Sequence, residues 1–365
     1  MSERGNPAFG FTVGPVMPAE QDGAAGDRQR YREMLDDCRF GQELGFGSVW
    51  VLEHHFTDYY PSPSPLLFLS HVAAACPGLG LGTAVIVLPW YEPVRFAEEV
   101  AMLSLMTDAE LHLGLGRGVA RIEYDARAID MAHSRELFRE HCEIAKGLLS
   151  GAPFRYEGTH ATIPREVSLR PGPASERIHL YGACNNPGTA ERMAGMGLGL
   201  LCTSASPFQQ NADSIAAWKA IAASGGGQAG ANIPLWIHCF IADTEEEARE
   251  EAITYLAAFF RAVVQHYETH ADPWKDVPTY ERNVQQMERM EAMADPANLP
   301  PFLEHQLVGT PEQVAAQVRR YREIGITQFA INTAQPGRPA ESRHRSMERF
   351  AREVIPLTQA SRPRG

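Results

Sequence analysis

Residues 81–106, LGTAVIVLPWYEPVRFAEEVAMLSLM, predict one buried β-strand that is followed directly by an amphipathic helix. The segment 81–88 is apolar and rich in β-branched residues, which is typical of a strand buried on both faces. Phe96, Val100 and Leu103 then recur at the spacing with which a helix buries one side. Because parallel strands need long crossover connections, usually helices, this pattern indicates a βα unit of a parallel sheet.

The same unit recurs along the chain, both before and after this segment. Further strands are predicted at 9–16, 47–52, 111–116, 178–183, 198–203, 233–241 and 326–332. Helical stretches follow the strands at 28–44, 65–76, 134–149, 187–196, 207–223, 244–262 and 341–354. Eight strands, each followed by a helical stretch, indicate the α/β class and favour a (β/α)8 TIM barrel, with an open doubly wound sheet as the alternative.

Two segments interrupt this alternation. Residues 150–177 are too long for a simple turn and predict a small extra hairpin. Residues 263–309 are longer, polar and proline-rich, which is typical of a lid or mobile loop, and residues 280–293 within them predict a helix. We therefore expect a single barrel domain over 1–365 that carries a small insertion near 150–177 and a lid-like insertion near 263–309.

The composition of the 365-residue chain argues against several classes of function. Hydrophobic residues make up 44%, which is enough for a large core. The net charge of −12, without a long basic run, argues against nucleic acid and anionic membranes as partners. No signal peptide or membrane span is predicted. The six scattered cysteines form no C-x-x-C pair, so we expect reduced thiols, a cytoplasmic protein and no structural zinc site.

An acid and two histidines follow the second predicted strand, in the sequence WVLEHHF at 50–56. Glu53, His54 and His55 would lie at the C-terminal end of a barrel strand, where catalytic residues of this fold are found. An imidazole there can take or give a proton near neutral pH. Adjacent residues on an extended chain point in opposite directions, so at most one histidine faces the barrel mouth, and the pair does not suit a metal site by itself. The alternative is that one histidine caps a turn and the other packs.

Three further features indicate a cofactor that carries a phosphate. Arg117, in the sequence LGLGRG, follows the fourth strand, and Arg135 lies just inside the next helix. One guanidinium group can bind a phosphate through two parallel hydrogen bonds. Asn186, Pro187 and Thr189 form a helix start whose free N–H groups attract an anion. The alternatives are solvated surface arginines and an ordinary capped helix.

Five stretches follow one another along the chain, namely FGSVWVLEHHF, LGTAVIVLPWYEPVRFAEEVAML, LGLGRGVARIEYD, SRELFREH and LVGTPEQVAAQVRRYREIGITQFAI, and the likeness that they carry runs over roughly 8–357. Together they resemble the bacterial luciferase-like flavin monooxygenases, particularly the alkanal monooxygenase or luciferase catalytic subunit type. The resemblance implies a (β/α)8 barrel that binds reduced FMN (FMNH2), supplied by a separate flavin reductase, and forms a homodimer through helices near the start of the barrel. It implies that O2 and the reduced flavin give a flavin hydroperoxide, which oxygenates a small organic substrate.

The resemblance also implies roles for individual residues. His54 takes the position of the catalytic base, and Glu53 or His55 is expected to set its tautomer. A non-proline cis peptide beside the flavin falls at Ala84–Val85. The remaining cofactor-binding positions are Arg117 and Arg135 for the phosphate, Cys184, Asn185 and Thr189 at the phosphate-binding helix start, and Thr203 near the flavin ring. No metal ligand is implied.

The chain departs from the luciferase pattern in three places, one of which is the phosphate-binding turn itself, which reads CNNPGT at 184–189. Gly116 replaces a reactive cysteine near the flavin, and Ala183 replaces an acid before the phosphate-binding turn. Trp90, Tyr91 and Phe56 are candidates for an apolar substrate pocket, or for ordinary packing. Two alternative functions stay open on the same fold: a deazaflavin-dependent oxidoreductase that transfers hydride, and a non-catalytic flavin-binding protein.

Overall fold

The computed structural model describes residues 5–14, 23–223, 232–271 and 273–359. The end of the first predicted strand, at 15–16, and both ends of the predicted domain lie outside these residues, so the single domain over 1–365 stays a prediction. Within the described part of the chain, no helix is both long and apolar enough to cross a membrane.

Eight parallel strands close into a barrel, which confirms the predicted fold. The strands of the described residues are β1 (Asn6–Thr12), β2 (Phe46–Val51), β3 (Gly80–Val87), β4 (Leu111–Gly116), β5 (Phe154–Glu157), β6 (Thr162–Val167), β7 (Ile178–Cys184), β8 (Gly199–Thr203), β9 (Pro234–Ile241), β10 (Leu307–Gly309) and β11 (Gln328–Asn332). The barrel order is β1-β2-β3-β4-β7-β8-β9-β11, and it closes because β9 pairs with β8 and β11 pairs with β1. The eight predicted strands correspond to these eight.

Helices follow the barrel strands and cover the outside of the sheet. Their bounds are α1 (Ala24–Glu43), α2 (Pro65–Ala75), α3 (Pro93–Met106), α4 (Arg121–Asp125), α5 (Ser134–Leu149), α6 (Pro187–Gly195), α7 (Phe208–Ile221), α8 (Glu245–Tyr267), α9 (Glu281–Ala292), α10 (Pro300–Leu303), α11 (Pro311–Ile324), α12 (Ala340–Arg349) and α13 (Ile355–Gln359). The main apolar cluster joins strand residues such as Leu81 and Leu111 to helix residues such as Val100. Strands that are apolar on both faces form because the barrel interior and the helix layer both exclude water.

Helix α8 begins where the sequence predicts but ends later. Its start is a capping box, in which the Glu247 N–H donates to Thr244 Oγ1 (3.2 Å) and the Thr244 N–H donates to Glu247 Oε2 (3.1 Å). The helix continues to Tyr267, five residues beyond the predicted end at 262, because Val263 and His266 extend its buried face. The insertion predicted near 263–309 therefore begins after Tyr267.

The insertion at 150–177 contains the predicted hairpin. Strands β5 and β6 pair in antiparallel fashion outside the barrel. Glu140 of α5 holds the turn between them, because its carboxylate accepts hydrogen bonds from the N–H groups of Thr159, His160 and Ala161 (3.0, 2.8 and 3.1 Å). One buried acid thus attaches the hairpin to the barrel.

The second insertion folds over the C-terminal ends of the strands. It contains α9, which confirms the helix predicted at 280–293, and it ends in β10, which pairs with β9 outside the closed barrel. Trp274 Nε1 donates to the Val119 carbonyl (2.8 Å), and the Tyr280 hydroxyl donates to the Gly118 carbonyl (2.9 Å). These bonds hold the insertion on the loop that follows β4.

Candidate functional site

A cavity of about 570 Å³ opens at the C-terminal ends of the barrel strands. This volume is typical of a site for a small molecule or cofactor. The predicted site residues that line it are Glu53, His54, Ala84, Val85, Arg117, Arg135, Cys184, Asn185, Thr189 and Thr203. His55 is not among the lining residues. The structure thus brings together side chains from the ends of β2, β3, β4, β7 and β8, as the barrel prediction requires.

The two predicted phosphate-binding arginines meet at Thr279 of the insertion. Arg117 Nη1 donates to Thr279 Oγ1 (3.1 Å), and Arg135 Nη2 donates to the Thr279 carbonyl (3.4 Å). The Arg117 guanidinium also lies 3.8 Å from the centroid of the Tyr280 ring. Burial lowers the pKa of Arg117, while the adjacent Tyr280 opposes this shift. Two guanidinium groups therefore converge at one end of the cavity.

The N-terminus of α6 opens toward the same cavity. Asn186 caps this helix, because its side-chain oxygen accepts the N–H of Thr189 (3.0 Å), and Pro187 occupies the first helical position. Asn185 Nδ2 donates to Gln286 of α9 (2.7 Å), so the insertion reaches this turn as well. Cys184 lies at the end of β7 and is buried. The helix dipole and the N–H groups of the first turn favour an anion here.

Small residues shape the middle of the cavity. The peptide bond between Ala84 and Val85 is cis, at the position that the family resemblance implies. A Cβ atom added to Gly116 would lie 2.5 Å from Val85 Cγ2. The space that a cysteine side chain would need at position 116 is therefore filled by Val85. Thr203 lines the wall nearby through β8, and its hydroxyl accepts the N–H of Ala205 (3.2 Å).

The two adjacent histidines point to different surroundings, as the strand alternation predicts. His54 lines the cavity, whereas His55 is buried, with Nε2 3.1 Å from Glu53 Oε1 and a ring nitrogen 3.0 Å from Arg127 Nη2. The other oxygen of Glu53 accepts the Val87 N–H at the end of β3 (2.8 Å). Burial raises the pKa of Glu53, while His55 and Val87 oppose the shift. Glu53 therefore positions His55 and β3, and among the described residues its hydrogen bonds do not include His54.

The polar neighbours of His54 are two residues that the sequence analysis missed. Glu123 Oε1 of α4 lies 3.8 Å from His54 Nδ1 and 3.6 Å from His266 Nε2, near the end of α8. Burial, with a smaller contribution from the neighbouring His55, lowers the pKa of His54 to about 3. Burial also lowers the pKa of His266 to about 3, whereas it raises the pKa of Glu123. Glu123 is thus the acid that faces His54 Nδ1, without a hydrogen bond to it, and the expected role of Glu53 or His55 in setting the tautomer of His54 stays a prediction.

The apolar wall of the cavity also differs from the candidates chosen by sequence. It is formed by Tyr59, Trp236, Phe259, Tyr267 and Phe302. These rings come from the loop after β2, from β9 and from α8 and α10, which a local pattern does not bring together. None of the three sequence candidates lines this cavity: the Phe56 side chain is 60% exposed, Trp90 packs against His55, and Tyr91 packs against Phe96.

Comparison with known proteins relates this chain to one protein family. The sequence model of the family described as luciferase-like monooxygenase matches residues 11–328. The chain is 22% identical over 92% of its length to the oxygenase component of the flavin-dependent trigonelline monooxygenase of Acinetobacter baylyi, of which it also covers 92%. Several other curated relatives match over about half of their length or less, among them the alkanal monooxygenase alpha chain of the Kryptophanaron alfredi symbiont, at 28% identity over 53% of each chain. The alkanal monooxygenase alpha chain of Aliivibrio fischeri matches at 22% identity over 87% of this chain and 90% of that chain.

Two solved structures share the fold. The oxygenating constituent of 3,6-diketocamphane monooxygenase from Pseudomonas putida, in complex with FMN, has a TM-score of 0.73 at 18% identity, with 96% of this chain and 98% of that chain covered. An F420-dependent secondary alcohol dehydrogenase also has a TM-score of 0.73, at 16% identity, with 98% and 99% covered. Proteins with this barrel therefore use different flavin-type cofactors.

Proposed function

Because the chain belongs to the luciferase-like monooxygenase family, we propose that it uses reduced FMN and O2 to insert one oxygen atom into a small organic substrate. The observation that carries this proposal is that the two ends of the cavity differ in chemical character. Two arginines and the start of α6 form a cationic end, and His54 with the aromatic wall forms an apolar end. Among the described residues that line the cavity, the acids are Glu53 and Glu123, and both lie near the histidines.

The cationic end suits the phosphate of FMN. Arg117 and Arg135 supply two guanidinium groups that already converge on Thr279, and a phosphate dianion would replace these weaker bonds with charge-assisted ones. The start of α6 lies at the same end, where the helix dipole favours an anion. The small side chains of Ala84 and Val85, together with Gly116, leave a wall against which a flat ring fits.

The apolar end supplies a dry environment for the reaction. When bound, reduced FMN provides the electrons with which one atom of O2 enters the substrate and the other leaves as water. The rings of Tyr59, Trp236 and Phe259 and the docked insertion keep bulk water away from this region. Water exclusion is required because hydrolysis of reactive species would release hydrogen peroxide without product.

His54 is the group that transfers the proton. Its Nδ1 atom faces Glu123 and is buried, so Nε2 is the nitrogen available to the cavity. Its side chain is only 13% exposed and the ring is neutral, because burial lowers its pKa to about 3. A neutral imidazole at this place can accept a proton as a general base.

The expected partners follow from the same reasoning. A separate flavin reductase would supply FMNH2, as the name of the trigonelline relative, an oxygenase component, suggests for that protein.

Helices α2 and α3 expose Leu67, Met102, Leu105 and Met106 by 72, 54, 54 and 52%. Apolar side chains exposed together mark interaction surfaces, which supports the homodimer through these helices. A cytoplasmic location stays a prediction.

A deazaflavin-dependent oxidoreductase is the second candidate, because an F420-dependent dehydrogenase has the same fold. The two candidates differ in their use of oxygen. Hydride transfer to or from F420 needs no O2, whereas oxygenation by reduced FMN consumes it.

The test compares the two cofactors directly. The protein is titrated anaerobically with FMNH2 and with reduced F420, and oxygenated buffer is then mixed in while the return of oxidised-cofactor absorbance is followed. We expect tighter binding of FMNH2 and a slower return of oxidised flavin than in free solution, because the cavity excludes water. Tighter binding of F420, with no effect on the oxidation of FMNH2, would favour the dehydrogenase instead.

A further inference from the structure

His54, Glu123 and His266 form a group of side chains that the proposed reaction does not fully explain. They come from the loop after β2, from α4 and from the end of α8. One nitrogen of each imidazole and one carboxylate oxygen lie within 4.8 Å of one another. The rings of His54 and His266 are 4.7 Å apart and meet edge to face. Within the ranges that the structure describes, no other group of His, Cys, Asp and Glu side chains is arranged in this way.

The two nitrogens that face Glu123 lack hydrogen-bond partners. His54 Nδ1 and His266 Nε2 are both buried, and neither has a partner among the described residues. Their distances to Glu123 Oε1, 3.8 and 3.6 Å, are too long for hydrogen bonds. Buried polar atoms are nearly always paired, because an unpaired one costs about 1–3 kcal/mol. Both distances are close to the separation of about 3.5 Å between two ligands that share one metal ion at about 2.1 Å.

The surroundings hold these ligands in the orientation that a metal requires. His266 Nδ1 is 2.7 Å from Thr57 Oγ1, so its proton can lie on the Thr57 side and leave Nε2 with a free electron pair. Glu123 Oε1 accepts the N–H of His55 (2.7 Å), which fixes the carboxylate. Metal-binding histidines typically donate their second ring nitrogen to such a partner.

We propose that His54, Glu123 and His266 bind a divalent transition-metal cation such as Zn²⁺. Two imidazoles and one carboxylate suit Zn²⁺, Co²⁺ or Fe²⁺, whereas Mg²⁺ and Ca²⁺ prefer oxygen ligands. His54 and Glu123 also line the cavity, so a fourth coordination position opens toward it. The sequence could not indicate this site, because its ligands are 69 and 143 residues apart along the chain.

His54 cannot bind a metal and accept a proton at the same time. This consequence rests on the proposed function, in which His54 is the base. An imidazole bound to a metal through Nδ1 keeps its hydrogen on Nε2, and that nitrogen can no longer accept a proton. A bound cation would therefore inhibit oxygenation. The metal site itself needs neither flavin nor oxygen.

The test is a calorimetric titration of the chelator-treated full-length protein with Zn²⁺ in the absence of flavin. We expect one Zn²⁺ per chain, and we expect Co²⁺ to give the visible bands of a low-coordinate complex, which Zn²⁺ then displaces. His266→Gln and Glu123→Gln should each weaken Zn²⁺ binding by about 100-fold, since each removes a ligand. His71→Ala is the matched control, because His71 is an exposed histidine on α2, and it should bind Zn²⁺ like the wild type.

Circular dichroism and melting curves establish that the variants fold. If His266→Gln does not fold, Thr57→Val tests the metal site in its place, because it removes only the hydrogen-bond partner of His266 Nδ1. We expect Thr57→Val to weaken Zn²⁺ binding by about 10-fold. Absence of saturable Zn²⁺ binding, or binding that Glu123→Gln and Thr57→Val leave unchanged, would overturn the metal site. Such a result leaves the oxygenase proposal untouched. Binding without inhibition of oxygenation would instead contradict the role of His54 as the base.

Discussion

The Arg117 guanidinium stacks 3.8 Å from the centre of the Tyr280 ring, so a residue at the end of β4 contacts the insertion that covers the barrel. Arg117 also bonds Thr279 through two of its nitrogens. The group proposed to hold the cofactor phosphate is therefore also one that docks the insertion. Under the proposed function, the same side chain would contact both the cofactor phosphate and the insertion.

Arg117→Ala tests the phosphate role. We expect the dissociation constant of FMNH2 to rise by about 10- to 100-fold, which corresponds to the loss of about 1.5–3 kcal/mol for hydrogen bonds to a charged group. Reduced riboflavin, which lacks the phosphate, should bind almost as it does to the wild type. Anaerobic titrations of both compounds measure the difference, with Arg165→Ala on the exposed hairpin as the control. Equal weakening of both compounds would show that Arg117 acts on the insertion and not on the phosphate.

His54→Ala and His55→Ala should separate catalysis from stability. We expect His54→Ala to bind FMNH2 normally and to lower product formation by about a hundredfold or more, since it removes the general base. The measurement is product formed per FMNH2 supplied, with a substrate that the wild type turns over. An unchanged product yield would remove His54 from the mechanism.

His55→Ala should instead lower the free energy of unfolding. It leaves the buried Glu53 carboxylate without its His55 partner and Arg127 without one of its contacts. A lost partner of a buried charged group costs about 1.5–3 kcal/mol. Urea denaturation of both variants measures the contrast, and a loss of stability in His54→Ala as large as in His55→Ala would contradict the assignment.

These residues also show how far the sequence can predict such a site. Strand periodicity is local, so the eight barrel strands were predictable, and with them the strand ends that carry His54 and Arg117. Glu123 and His266 were not, because their proximity to His54 depends on how α4 and the end of α8 approach the barrel mouth. The aromatic wall was missed for the same reason. No pattern within a single segment indicates contacts between segments.

The stability of the hairpin insertion should depend on pH through Glu140. Burial raises the pKa of this carboxyl, but the N–H groups of His160, Thr159 and Ala161 outweigh it and hold the pKa below its usual value. A carboxyl with a lowered pKa stabilises the fold above its unfolded-state pKa of about 4.3, and this contribution is lost as the pH falls through the folded-state pKa.

We therefore expect Glu140→Gln to lower the free energy of unfolding by about 1.5–3 kcal/mol at pH 7, and by less at pH 3. Denaturation curves at the two pH values measure this, with Glu157→Gln, an exposed acid of β5, as the control. A destabilisation that is the same at both pH values would show that charge on Glu140 is not what holds the turn.

The exposed apolar side chains of α3 predict the oligomeric state. Leu105→Glu places a charge on the surface formed by Leu67, Met102, Leu105 and Met106, so it should convert a dimer into a monomer. Light scattering coupled to size-exclusion chromatography measures the mass. Ala216→Glu, on an exposed position of α7, should leave the mass unchanged. A monomeric wild type, or a Leu105→Glu variant that stays dimeric, would contradict dimerisation through these helices.

Gly116 should be intolerant of even a methyl group, although the resemblance to luciferase implies a cysteine at this position. A Cβ atom at this position would lie 2.5 Å from Val85 Cγ2 and 3.3 Å from Val85 Cβ. Val85 is β-branched and stiff, so it cannot rotate away cheaply. We expect Gly116→Ala to cost about 1–3 kcal/mol of stability and to weaken FMNH2 binding, because Val85 would shift into the cavity.

Gly172→Ala is the matched control, since its Cβ would meet no atom within 4 Å. Melting curves and anaerobic FMNH2 titrations of the two variants give the comparison. The double variant Gly116→Ala, Val85→Ala should recover most of the lost stability if the clash is the cause, because removing the Val85 methyl groups frees the space. If Gly116→Ala alone melts and binds FMNH2 like the wild type, Val85 adapts without cost, and the small residue at 116 is not what keeps the cavity open.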